Sequence, residues 1–110
     1  MPPQEPYTRP GMAIVEQVEA ANWETWVTSR DGVMIDVREP AEWAIGLLPG
    51  TETIRLADIP GHVDQLDKEA NYLIVCRSGN RSQDVAAFLT HLGFKAANLK
   101  GGMVALNLAK

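Results

Sequence analysis

Tyr72-Leu73-Ile74-Val75-Cys76-Arg77-Ser78-Gly79-Asn80-Arg81-Ser82 is the stretch on which the fold of this chain turns. It opens with four uninterrupted apolar residues, two of them β-branched. A continuous run of that kind reads as a strand covered on both faces, the interior strand of a parallel sheet. Cys76 follows it directly. Beyond a short polar turn, residues 82–92 form an amphipathic helix with Val85, Ala86, Phe88, Leu89 and Leu92 on its apolar side, and Gly93 is its expected stop.

Working outward, the same alternation continues. Residues 14–18 read as a first short strand. Residues 20–29 read as a helix begun by Ala20 or Asn22, with Trp23, Trp26 and Val27 at helical spacing. Val33-Met34-Ile35 follows the turn pair Asp31-Gly32, ends on Asp36 and reads as a buried strand. Pro40 suits the first turn of a helix, with Glu39 and Glu42 near its positive end and Gly46 and Pro49-Gly50 closing it. Residues 53–56 suit an edge strand. Residues 58–67 are ambiguous, with Pro60-Gly61 marking at most a helix start. Residues 96–99 form a weak last strand, and Gly101-Gly102 leads into a terminal helix with Met103, Leu106 and Ala109 inward. Strands alternating with helices predict an α/β fold: a central parallel five-stranded sheet flanked by helices on both faces. Ligands of such sheets sit beyond the carboxyl ends of the strands, where the turn from Val75 to Ser82 lies.

Composition narrows the function. The chain has 110 residues, 45% of them hydrophobic and 22% charged, which suits one domain. Residues 1–11 hold four of the seven prolines and no apolar core of a signal peptide, so they read as a flexible tail, with the domain at residues 12–110. The net charge of −4 gives no general attraction for nucleic acid or anionic membranes. No apolar run is long enough to span a bilayer, and the expected compartment is cytoplasmic. A single cysteine excludes an internal disulfide and a cysteine-rich zinc site.

That cysteine sits in unusual company. Backbone N–H groups at the start of the helix and in a tight loop containing Gly79 and Asn80 can converge on one point. Both residue types tolerate positive φ. The helix dipole and Arg77 and Arg81 add positive potential. Such a focus favours sulfur in its anionic form and can hold an anion or a persulfide. It calls for no histidine base, no metal and no cofactor. The plainer reading has Cys76 ending a core strand and Arg81 as a solvated charge. The Gly-Asn pair, the flanking arginines and the well-formed helix weigh against it.

Three stretches resemble the rhodanese homology domain. The first is Asp36-Val37-Arg38-Glu39-Pro40-Ala41-Glu42-Trp43 through Gly46-Leu47-Leu48-Pro49-Gly50. The second is the segment from Tyr72 to Ser82. The third is Gly93-Phe94 through Asn98-Leu99-Lys100-Gly101-Gly102-Met103. The resemblance implies a rhodanese-like fold and a cysteine that takes sulfane sulfur from a donor such as thiosulfate, becomes a persulfide, and passes the sulfur to cyanide or a thiol. It makes Cys76 the catalytic residue and Arg77, Ser78, Gly79, Asn80 and Arg81 the substrate-binding loop, with Ser82 opening the next helix. Related phosphatases have five residues between cysteine and arginine; here there are four, which suits a sulfur atom better than a phosphate. Leu47, Arg55 and Leu106 depart from the family pattern, where histidine, proline and tryptophan are common.

Other residues have ordinary readings. Asp36 and Arg38 are structural support near the site, either bracing the loop or leaving Arg38 to pair with Glu42. Trp23, Trp26 and Trp43 pack helices on the sheet. His62 and His91 lack partners at useful spacing, and Lys100 is a solvated charge. Three functions stand: an enzyme of the thiosulfate sulfurtransferase kind, a carrier module fed by a partner protein, and a scaffold without chemistry. An intact Cys76 argues against the last. The implied partners are a small sulfur donor, a thiophilic acceptor and a protein donor or acceptor.

Overall fold

The computed structural model describes residues 14–107. The tail at 1–11, the first two residues of the expected domain and the inward placement of Ala109 lie outside the described residues. Five strands form one parallel sheet: β1 (Glu16–Val18), β2 (Val33–Asp36), β3 (Glu52–Thr53), β4 (Asn71–Val75) and β5 (Lys95–Leu99), in the order β1-β5-β4-β2-β3. β4 is the central strand. It pairs with β2 from Val33↔Tyr72 to Asp36↔Val75 and with β5 from Asn71↔Lys95 to Ile74↔Asn98.

The helices are α1 (Trp23–Arg30), α2 (Pro40–Ile45), α3 (Ile59–His62), α4 (Asn80–His91) and α5 (Gly102–Ala105). Alternate residues of a strand face opposite sides of a sheet, and two apolar cores result. Ile35, Tyr72 and Ile74 pack with Ile59 of α3 and with Val85, Ala86 and Leu89 of α4. Met34, Leu73 and Val75 pack on the other face with Trp26 of α1 and Met103 of α5. Covering both faces explains why β4 carries no polar residue between Tyr72 and Val75. No helix among the described residues is long and apolar enough to cross a membrane.

Several boundaries differ from the sequence reading. The first strand starts at Glu16, because Ile14 is exposed and only Glu16 to Val18 find partners on β5. Residues 20–22 form a 3-10 turn, and α1 starts at Trp23. β3 is two residues long and ends at Thr53; Leu56 opens a 3-10 turn that leads into α3. The last strand, read as weak over residues 96–99, runs Lys95–Leu99 and has a partner on each side. Leu92 is 37% exposed, since α4 ends at His91 and the chain turns away, while Ala87 takes a buried position instead. Leu106 packs against the second core from a turn after α5.

These placements set a contrast in stability. Ile74→Ala should lower unfolding free energy by about 2–5 kcal/mol, and Leu92→Ala by less than about 1 kcal/mol, in urea denaturation. Equal losses would contradict the assignment of inward and outward faces.

Candidate active site

β4 carries Cys76 to the carboxyl edge of the sheet, where its side chain is 1% exposed. Gly79 follows at φ 95°, a left-handed conformation that suits glycine, and caps α4. The chain therefore enters the helix at Asn80, two residues earlier than the sequence reading placed it, and Asn80 does not take positive φ. Ser82 is thus the third residue of α4 rather than its first. The first N–H groups of a helix have no acceptor within it, and that of Ser82 is aimed at the sulfur.

Three groups meet Cys76 Sγ. The Gly79 N–H donates to it at 3.1 Å and the Ser82 N–H at 3.3 Å, and the Ser82 hydroxyl lies 3.2 Å away, with either atom able to donate. The loop carbonyls are tied elsewhere. Cys76 O accepts from the Met103 N–H and Arg77 O from the Val104 N–H, both at 2.9 Å. The start of α5 holds these carbonyls while N–H groups gather on the sulfur. Gly102 makes that docking possible, because a Cβ at its position would collide with the Cys76 and Arg77 carbonyls.

Beyond the sulfur runs a chain of side-chain hydrogen bonds. Ser82 Oγ donates to Asn98 Oδ1. Asn98 Nδ2 donates to Gln17 Oε1 at 2.9 Å and to Gly79 O at 3.3 Å, and Gln17 Nε2 donates to Gln83 Oε1 at 2.6 Å. This network joins β1, β5 and α4 and fixes both residues whose N–H groups reach Sγ. Next to it lies a depression of about 490 Å³, lined by Ser78, Gly79, Asn80, Gln83 and Asn98 among others. Ser78 and Asn80 are exposed, as is Arg77.

Arg81 points to α2. Its two terminal nitrogens donate to the two Glu42 carboxylate oxygens at 2.8 and 2.9 Å. The hydrogen bond from Arg81 is the main reason that the Glu42 carboxyl lies at about 2 rather than its ordinary 4.5; the Glu39 N–H and the charges of Arg81 and Arg38 add to it against partial burial. Arg81 is in turn held above its ordinary value, chiefly by Glu42, with smaller attractions from Cys76 and Asp36. Glu42 Oε1 also accepts from the Glu39 N–H at 3.0 Å, closing a capping box at the start of α2.

The expected Arg38–Glu42 pairing is therefore replaced by Arg38–Asp36 and Arg81–Glu42. Asp36 is fully buried at the end of β2 and needs a charge partner there. Arg38 Nε donates to both of its oxygens at 3.0 and 2.9 Å. Trp43 Nε1 donates to Asp36 Oδ1 at 3.2 Å, and an Arg38 terminal nitrogen donates to Gly46 O at 2.6 Å. This buried corner shapes the β2–α2 turn that carries Glu42. Trp26 packs in the core, His62 Nδ1 lies 3.0 Å from Asp58 O, and Lys100 pairs with Glu19 at 3.4 Å on the surface.

The sequence reading missed Glu42 as a partner of the loop, Asn98, Gln17 and the docking role of Gly102. Asn98 had a visible signal, a polar residue inside the apolar run Ala96-Ala97-Asn98-Leu99.

The family model described as rhodanese-like domain matches residues 16–109. The chain is 43% identical over 94 residues to YtwF of Bacillus subtilis (strain 168), a provisionally named sulfurtransferase, covering 86% of this chain and 91% of that one. It is 31% identical over 75 residues to the thiosulfate sulfurtransferase GlpE of Ectopseudomonas mendocina (strain ymp), covering 67% and 69% of the two chains. The crystal structure of a rhodanese-like domain protein from Staphylococcus aureus superposes with a TM-score of 0.76 at 30% identity, covering 83% of this chain and 90% of that one.

Two outcomes follow from the site. Because the Glu42 carboxyl is lowered to about 2 in the folded chain, its contribution to stability is present above about pH 4.5 and is lost as pH falls toward 2. The gap in melting temperature between the wild type and Glu42→Gln should therefore close across that window; a gap constant with pH would contradict the ion pair. Gly102→Ala should cost about 1–3 kcal/mol in urea denaturation, and unchanged stability would contradict the docking of α5 on the loop.

Proposed function

The chain belongs to the rhodanese-like domain family, and on that premise we propose that it is a sulfurtransferase in which Cys76 carries sulfane sulfur as a persulfide. The observation that carries the reading is the convergence of the Gly79 and Ser82 N–H groups on Cys76 Sγ. Hydrogen bonds to a charged group are worth roughly twice neutral ones, so the cradle favours sulfur that bears negative charge. The same preorganised donors meet the charge that develops when sulfur moves, with no reorganisation at that moment.

The Cys76 thiolate attacks the outer sulfur of a sulfane donor. The donor's S–S bond breaks, and its electron pair departs with the leaving group, which is sulfite when the donor is thiosulfate. A new S–S bond joins Cys76 to the transferred sulfur. A thiophilic acceptor, cyanide or a thiolate, then attacks that outer sulfur, and the electron pair returns to Cys76. Ser82 stands beside the sulfur through both steps; its one hydroxyl proton goes to Asn98 Oδ1, so the Gly79 and Ser82 N–H groups meet the charge. Ser78, Gly79 and Asn80 line the adjoining depression, where donor and acceptor approach. The chemistry requires the thiol to stay reduced between turnovers, which suits a reducing compartment such as the cytoplasm.

Intact mass after thiosulfate treatment tests this reading. The wild type should gain the mass of one sulfur atom and release it to cyanide, and Cys76→Ser should do neither. Ser82→Ala should slow loading by roughly tenfold, because it removes the hydroxyl that borders the sulfur and ties the start of α4 to Asn98. An adduct that survives in Cys76→Ser would overturn the assignment.

A further inference from the structure

Arg81 is one of the two arginines offered by the loop for attracting an anionic donor, and a carboxylate already holds it. Both Glu42 oxygens are engaged, at 2.8 and 2.9 Å. The side chains are 37% and 24% exposed, so the pair is sheltered and salt screens it less than an open one. With its carboxyl at about 2, Glu42 is ionised throughout the neutral range. It is also fixed from its own side, since Oε1 accepts the Glu39 N–H. The carboxylate stays in place if Arg81 swings toward a ligand. The neighbouring cation, Arg38, is matched in the same way by Asp36 at 2.9 Å.

We propose that Glu42 is a specificity-determining residue that turns the site away from inorganic dianionic donors and toward hydropersulfide sulfur carried on an organic or protein thiol. The inference rests on the reading of Cys76 as the sulfur acceptor. The two donor chemistries differ in charge at the same point. Thiosulfate arrives as a dianion, and when Cys76 takes its outer sulfur the electron pair leaves on sulfite, another dianion. Each must take Arg81 from Glu42, leaving that carboxylate without its partner, or load without an arginine. A hydropersulfide carries at most one negative charge on its sulfur chain and gives up its outer sulfur from the protonated form, R–S–S–H, which has none. Cys76 takes the outer sulfur with its proton, and the electron pair leaves on R–S⁻, a single charge. The loop N–H groups serve both donors alike, so the carboxylate makes the difference.

Timed loading of Cys76, read by intact mass, compares thiosulfate with cysteine hydropersulfide. In Glu42→Gln the ratio of thiosulfate to hydropersulfide loading rates should rise roughly tenfold. Glu42→Asp keeps the charge and should return the ratio to within roughly threefold of wild type. A purely structural role for Glu42 would slow both donors together and leave the ratio in place, which would overturn the proposal, as would a fall in the ratio in Glu42→Gln. Wild type alone supplies a second measurement that needs no variant to fold. Raising ionic strength should hold or increase thiosulfate loading, because it screens repulsion, whereas a site that uses an open arginine would lose rate. Loss of rate with salt would overturn the proposal. Failure of both donors to load wild-type Cys76 would instead refute the sulfur-acceptor reading beneath it.

Discussion

The convergence of two backbone N–H groups on one buried sulfur is the constraint on which the rest of this structure depends. Such groups are fixed by the chain path, so every element around the loop serves to hold that path. β4 sets the position of Cys76, and Gly79 turns the chain into α4 early enough for the Ser82 N–H to remain without a helical acceptor. The start of α5 binds the Cys76 and Arg77 carbonyls, and Gly102 permits the close approach. The network through Asn98 and Gln17 ties the same residues to β5 and β1. These are five separate parts of the chain, which explains why the motif needs a whole domain to work.

Charge is arranged as carefully as geometry. The protein is acidic overall, at −4, yet the loop contains Arg77 and Arg81. The positive influence on the sulfur comes from dipoles and N–H groups, while Arg81 and Arg38 are matched by carboxylates on neighbouring elements. A site built in this way offers an anion short directional contacts more than long-range attraction, which is what the proposed persulfide chemistry requires.

Much of this was legible in the sequence, for reasons that can be stated residue by residue. The apolar run from Tyr72 to Val75 had to be an interior parallel strand because both of its faces are apolar, and β4 is central. Cys76, Gly79 and the helix that follows could be placed together because they are adjacent in the chain. What stayed hidden depends on long-range contact. Glu42 meets Arg81 across 39 positions and Asn98 meets Gln17 across 81, and no local pattern encodes such pairings. The positive end of α2 explained Glu42 well enough by itself to conceal its second role. The start of α4 was misplaced because a glycine in the left-handed region can begin a helix without Ser, Thr or Asp.

A crystal structure of the protein loaded with sulfur, with the sulfur positions located by anomalous scattering, tests the central claim most directly. The account predicts a second sulfur bonded to Cys76 Sγ, lying within the loop of residues 76–81 and within hydrogen-bond distance of its backbone N–H groups. A second sulfur directed away from those N–H groups, or one found on a residue other than Cys76, would contradict it.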